Sequence, residues 1–280
     1  MMWIWAGLVS AALIGCYDIC KKMAVRNNAV MPILWITMFI SSVLLIPMYV
    51  LKVPTLDVRT HMLVFVKACL VLSSGICAYT GIKHVPLTLA SPINSTRPMW
   101  VILGAVMIFG ERLTLQQWLA VGLVVVSFIA FSVLGAREGF SLRTNKYIWL
   151  VILGMLFGVC SGLYDKYLLS NVDRFAVQCY YTFEQMMMML VILAIYWWPR
   201  RKQDVPFQWR WSILLISVFW VMSEAVYFFA LSQPDALVSV LSVIRRSGVI
   251  LPFLWGAVVL HDRNIGLKAI ALSGVLAGVV

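Results

Sequence analysis

Charge is scarce in this sequence. Asp, Glu, Lys and Arg together supply 12% of 280 residues, about half the share a water-facing globular surface uses. A chain so poor in charge cannot cover a soluble domain, which excludes a cytosolic enzyme and a disordered chain. Acids are the scarcer sign, 11 against 22 basic residues, for a formal net charge of +11. The excess does not make a nucleic-acid-binding protein, because the basic residues sit in short connectors and form no basic helix face or RNA-binding fingerprint. It reads instead as membrane topology and contact with anionic lipid. Histidine occurs three times, at His61, His84 and His261, in or near connectors and away from the six cysteines. Cys16 and Cys20 share a helix face at i, i+4, yet with no histidine beside them apolar packing outweighs a metal or thiol pair. No metal site, disulfide or cofactor is expected. Nor does any Gly-rich stretch end in Gly-Lys-Ser/Thr, which excludes ATP-driven work by this polypeptide alone.

What fills the chain instead is apolar sequence, 62% of it, with a mean hydropathy of +0.94. A spanning helix needs about 20 mostly apolar residues. The runs predict spans near 2–20, 30–51, 62–82, 87–109, 115–135, 147–169, 175–198, 211–231, 236–260 and 265–280. The last is short, reaching only about 24 Å of a roughly 30 Å hydrocarbon core. Continuous runs without period-two alternation predict helices and not barrel strands. The longest polar connectors, 136–146 and 199–210, are too brief to hold a soluble domain. The first run lacks a preceding Lys or Arg and reads as a span, not a cleaved signal. Met186, Met187, Met188 and Met189 read as flexible packing in the seventh span.

The two halves of the chain resemble each other. Gly7, Ala11, Gly15, Tyr17 and Asp18 recur 147 residues later as Gly154, Gly158, Gly162, Tyr164 and Asp165. At an offset of 148, Tyr79, Pro86, Ser91, Asn94 and Arg97 become Tyr227, Pro234, Ser239, Ser242 and Arg245. Glu111-Arg112 pairs with Asp262-Arg263 at an offset of 151. An ordered set of matches implies duplication, with repeats at 1–140 and 141–280. Five spans per repeat is an odd number, so the second repeat enters the membrane inverted, an arrangement suited to alternating access. The expected fold is all-α and integral to the membrane, with ten transmembrane helices as two inverted five-helix repeats. The glycine ladders at i, i+4, i+8 let helix backbones approach closely.

Ser91-Pro92, Arg97-Pro98, Gly110-Glu111-Arg112-Leu113-Thr114, Gln117-Trp118 and Gly122 together resemble the EamA-type branch of the drug/metabolite transporter superfamily. The second copy, His261-Asp262-Arg263-Asn264, departs from that pattern. The resemblance implies a secondary transporter of small metabolites, with the fourth and ninth helices bordering a central cavity.

Charges placed in mid-span identify the candidate site. An Arg or acid at a helix centre costs about 2.5–3.5 kcal/mol when it faces lipid. Arg97, Arg245, Arg246, Glu184 and Glu224 must therefore face a cavity or one another. Ser91, Asn94 and Arg97, and likewise Ser239, Ser242 and Arg245, step by three and form one polar stripe per helix. Two readings follow. Arg97 and Arg245 bind an anionic carboxylate or phosphate by forked hydrogen bonds, with Ser91, Asn94, Ser239, Ser242, Tyr79 and Tyr227 around it. Alternatively, Glu184 and Glu224 neutralise the arginines, and the polar groups alone meet substrate. Three arginines against two glutamates favour an anionic or zwitterionic substrate. Asp18, Asp165, Glu184 and Glu224 are candidates for coupling to protons or for charge pairs, as is Arg246 for pairing.

Two other classes compete. A lipid-carrier translocase would share the fold and bind a lipid-linked phosphate or sugar. An intramembrane enzyme would use Tyr17-Asp18 or Tyr164-Asp165, but the Gly-x-Gly-Asp, rhomboid-type serine and His-Glu-x-x-His signatures are absent. No enzyme and no catalytic residue is expected. The expected setting is the cytoplasmic (plasma) membrane of a bacterium, as a monomer or homodimer in contact with lipid and a small-molecule substrate. Orientation has two readings: the resemblance places the N-terminus in the cytoplasm, while thirteen basic residues against six favour the connectors opposite the termini there.

Overall fold

The computed structural model describes residues 2–53, 55–84, 96–116, 146–202 and 205–251, with 118, 119, 122, 123, 126 and 255. Among them there are no strands, and eight helices carry the chain. They are α1 Met2–Val25, α2 Val30–Lys52, α3 Val58–His84, α4 Arg97–Phe109, α5 Lys146–Leu169, α6 Arg174–Ile192, α7 Trp211–Leu231 and α8 Val238–Arg246. Among the described residues, six helical stretches are long and apolar enough to cross a membrane: Met2–Val25, Val30–Val50, Val58–Ala78, Tyr147–Leu169, Arg174–Arg200 and Trp211–Leu231. They coincide with the first, second, third, sixth, seventh and eighth expected spans. α4 supplies the second half of the expected fourth span. Residues 85–95, most of 115–135 and all of 265–280 lie outside the described residues.

Local chemistry sets the helix ends. The Asp173 carboxylate accepts from the backbone N–H groups of Phe175 (2.9 Å) and Ala176 (3.2 Å) and so caps α6. α4 starts with Pro98 in its first turn, where a missing N–H costs nothing. It stops at Gly110, whose φ of +61° lets its N–H reach back to the Val106 carbonyl at 3.1 Å. The turn between α1 and α2 is tied to the chain before α7 by Asn28. Its Nδ2 donates to the Gln208 carbonyl (2.7 Å), and its Oδ1 accepts from the Gln208 N–H (2.8 Å).

Two expected spans are not uniform helices. After Ile192 the seventh passes through a π-helical turn, Leu193–Trp197, and a 3-10 turn, Trp198–Arg200. The ninth tightens into a 3-10 turn at Ser247–Val249, directly after its two arginines. There a β-carbon on Gly15 would overlap the Gly248 carbonyl, so α1 and the end of α8 meet backbone to backbone.

The most extensive packing is α1 on α7 and α3 on α5. Next come α2 on α6, α2 on α7 and α3 on α6, then α4 on α5, α1 on α8 and α4 on α8. The main core runs through Val64, Ala68, Val101, Ala105, Val159, Tyr181, Phe228 and Leu241. One membrane face holds the starts of α1, α3, α6 and α8 and the ends of α2, α4, α5 and α7; we call it the first face and its opposite the second.

Candidate functional site

Between these helices lies a cavity of about 440 Å³. Towards the second face it is lined by Lys21 of α1, Leu34 and Thr37 of α2, and Ile216 of α7. At mid-depth Arg97, Arg245 and Arg246 enter it, and Asp165 and Val238 line its end towards the first face.

Two ion pairs stand in its wall. Lys67, 2% exposed, places Nζ 2.5 Å from Asp165 Oδ1 and donates to Ser161 Oγ at 2.9 Å. Its ammonium also faces the rings of Tyr181 (5.4 Å) and Phe228 (5.7 Å). Arg245 pairs with Glu224, which also accepts from the Tyr181 hydroxyl at 3.2 Å. The Arg245 guanidinium lies 4.1 Å from the Tyr227 ring centroid, and its buried Nε has no hydrogen-bond partner among the described residues.

The other two arginines are differently placed. Arg97 donates to the Gly158 carbonyl at 2.6 Å. A β-carbon at residue 158 would come within 2.8 Å of its guanidinium carbon, so the second small-residue ladder is what lets this side chain lie against α5. Arg246 lines the cavity near Asp18. Among the described residues no carboxylate forms a salt bridge with Arg97 or Arg246. Among the described residues, five basic groups (Lys21, Lys67, Arg97, Arg245, Arg246) and three acids (Asp18, Asp165, Glu224) line the cavity, a surplus of two positive charges.

A clasp joins α4, α5 and α8 at the first face, beside the cavity. Glu111, just past α4, accepts from the Val238 N–H (2.9 Å), the Ser239 N–H (3.3 Å) and the Ser239 hydroxyl at the start of α8. Lys166 of α5 reaches the same carboxylate at 2.7 Å and the Ala236 carbonyl at 2.9 Å. Burial works against the Glu111 charge, but the hydrogen bonds from Lys166, Ser239 and Val238 outweigh it and hold the carboxyl below the usual range.

The expected site residues separate on this geometry. Arg97, Arg245, Arg246, Ser242, Tyr227, Asp18, Asp165 and Glu224 all line the cavity. Ser239 does not: it caps α8 with Glu111, while Ser242 Oγ donates to the Ser239 carbonyl at 2.8 Å. Glu184 is not among the lining residues either; it sits against His61 between α3 and α6. Of the expected neutralising pairs, Glu224–Arg245 forms and Glu184 has no arginine partner among the described residues. Ser91, Asn94 and the Tyr79 side chain lie outside the described residues. Lys67, which the sequence groups with the connector charges, belongs to the cavity wall. Its signal is a lone charge inside the apolar run 62–82, subject to the same cost as the mid-span arginines. All six cysteines are free thiols.

Residues 1–133 match the EamA-like transporter family. No curated protein matches the sequence. Solved structures do match, 28 chains of them. One, titled as the crystal structure of a protein, is 15% identical at a TM-score of 0.76, covering 99% of this chain and 94% of that chain. At that identity the likeness is one of fold alone.

Proposed function

We propose that this chain, whose residues 1–133 match the EamA-like transporter family, is a membrane transporter of the drug/metabolite kind that moves a small anionic or zwitterionic metabolite by alternating access between two inverted five-helix repeats. The observation that carries this reading is the cavity with Arg97 and Arg246, two cations left without a carboxylate salt bridge among the described residues. Its volume of about 440 Å³ suits a small metabolite, since ligand pockets run to about 300–1,000 Å³. The substrate's anion sits against Arg97 and Arg246, with Arg245 Nε, Ser242 and Tyr227 beside it. Arg245 itself is mainly occupied by Glu224, so the pair that holds the anion is Arg97 with Arg246 rather than Arg97 with Arg245.

Helix packing supports the inverted repeat. Exchanging α1 with α5, α2 with α6, α3 with α7 and α4 with α8 turns α1–α7 into α3–α5, α2–α7 into α3–α6, and α4–α5 into α1–α8. The pairs α2–α6 and α4–α8 map onto themselves. A twofold axis in the membrane plane has this property. The Glu111–Lys166 tie joins α4, α5 and α8 at the first face while the cavity reaches towards the second, an arrangement that fits one end state of alternating access.

Transient currents on a solid-supported membrane test the reading across a panel of candidate substrates. Concentration jumps of anionic, zwitterionic, cationic and neutral metabolites are applied to proteoliposomes. Currents are expected with an anionic or zwitterionic compound and lost in Arg97→Gln. Currents with cationic compounds alone, unchanged in that variant, contradict it.

A further inference from the structure

Four acids fall within the described helices that make up the spans, and three of them lie beside fixed cations. Asp165 has Lys67, Glu224 has Arg245, and Asp18 lies near Lys21 and Arg246. Glu184 differs. It is 8% exposed, and neither carboxylate oxygen has a hydrogen-bond partner among the described residues. Among the described residues the one basic group within ion-pair distance is an imidazole, His61 Nε2, 3.1 Å from Oε1. A lysine or arginine keeps a partner acid charged at all working pH values, but a histidine does so only while it holds its own proton. Among the described residues, Glu184 therefore has no permanently charged cation within ion-pair distance.

Among the described residues, no Lys or Arg forms a salt bridge with Glu184. From α2, Tyr49 reaches the site through Tyr180, their rings 5.5 Å apart. α3 contributes His61 and Cys69, while its Lys67 is committed to Asp165 of α5. Tyr164 of α5 donates its hydroxyl to the Leu63 carbonyl, and Glu224 of α7 is held by Arg245 and Tyr181. On α6 itself Tyr180 packs edge-on against the His61 ring at 5.3 Å, fixing the imidazole plane.

Access is asymmetric. The His61 side chain is 45% exposed and lies three residues into α3, close to the first face. α3 and α6 run parallel from that face, meeting at His61–Tyr180 and again eight residues deeper at Cys69–Met188, 3.9 Å apart. The seam buries Glu184 behind His61. On the same turns of α6, Thr182 and Gln185 line the metabolite cavity.

We propose that Glu184, reached through His61 from the first face, is a proton-binding site set apart from the metabolite cavity. In the transfer the Nε2–H bond of the imidazolium breaks and an O–H bond forms on Glu184 Oε1. The neutral imidazole then regains a proton from hydronium or a buffer acid at the first face, which leaves water or the buffer base behind. Only the use of this proton to drive transport rests on the function proposed above; binding of the proton does not.

Infrared difference spectroscopy of the full chain in lipid nanodiscs, stepped between about pH 9 and about pH 5, reads the site with protons as the only ligand. A protonated-carboxyl stretch is expected in the wild type, lost in Glu184→Gln and restored in Glu184→Asp. In His61→Gln the stretch stays and its midpoint moves. A Glu184→Gln protein with unaltered thermal unfolding and the full wild-type stretch overturns the proposal. An unmoved midpoint in His61→Gln overturns the part given to His61. Because no metabolite is present, a negative result here leaves the transport reading standing, and silent transport currents leave this site standing.

Discussion

Arg245 and Arg97 occupy matching places in the two halves yet answer to different forces. Arg245 neutralises Glu224, which is 3% exposed, whereas Arg97 rests on a backbone carbonyl. Removing one member of a buried pair leaves a charge without its counterion, at a cost of about 3–5 kcal/mol. Arg245→Met is therefore expected to lower Tm sharply, and Arg245→Met/Glu224→Met to recover most of the loss. Arg97→Met strands no acid and is expected to cost far less, so thermal unfolding of the three variants separates a structural arginine from a binding one. Equal destabilisation by Arg97→Met and Arg245→Met would contradict the division. The sequence made these arginines legible because charge in the middle of an apolar run has few places to go. It could not say which acid each would meet. Lys67 and Asp165 are 98 residues apart, and their contact is decided by how α3 lies on α5.

Helices were legible wherever apolar residues ran on unbroken, and less so where packing intrudes on the backbone. The 3-10 turn after Arg246 follows from the close approach of Gly248 to α1, and the start of α8 follows from a carboxylate far away in sequence. In the sequence Glu111 belongs to the Gly110–Thr114 motif and nothing links it to Lys166; only their meeting at the α8 N-terminus makes them a clasp. That clasp carries a pH signature. Glu111 titrates below its unfolded value of about 4.3, so its stabilisation is complete above that value and is lost as pH falls through the folded one. Wild-type Tm is expected to drop more steeply than that of Glu111→Gln as the pH is lowered below about 4.3. Parallel profiles would show that the clasp contributes nothing.

The ladders make a second prediction for helix pairs. A β-carbon at Gly154 would stand 2.8 Å from the Ala78 backbone nitrogen, inside the α3–α5 contact, while at Gly162 it would meet nothing within 4 Å. Gly154→Val is expected to destabilise the protein by about 1–3 kcal/mol through overpacking, and Gly162→Ala to be close to neutral in thermal unfolding. The reverse order would contradict the packing of α3 on α5.

For the molecule as a whole, composition alone decided the solvent: a chain with 12% charge belongs in a bilayer. The matched residues of the two halves point to a pseudo-twofold, and the pairwise helix contacts are the support for proposing it. The charge balance of the cavity was not legible, because Lys21, Lys67, Asp18 and Asp165 enter the wall and Glu184 leaves it. With those changes the surplus is two positive charges around a cavity of about 440 Å³. The most direct test of that surplus is a ligand-dependent thermal shift on the wild type and on Arg97→Gln/Arg246→Gln, against anionic, zwitterionic, cationic and neutral metabolites. A ligand at about 100 times its Kd adds about 2.7 kcal/mol to the folded state by mass action. Stabilisation of the wild type by an anionic or zwitterionic compound, absent in the variant, is the expected result. Stabilisation by cationic or neutral compounds alone, equal in both proteins, would contradict the account.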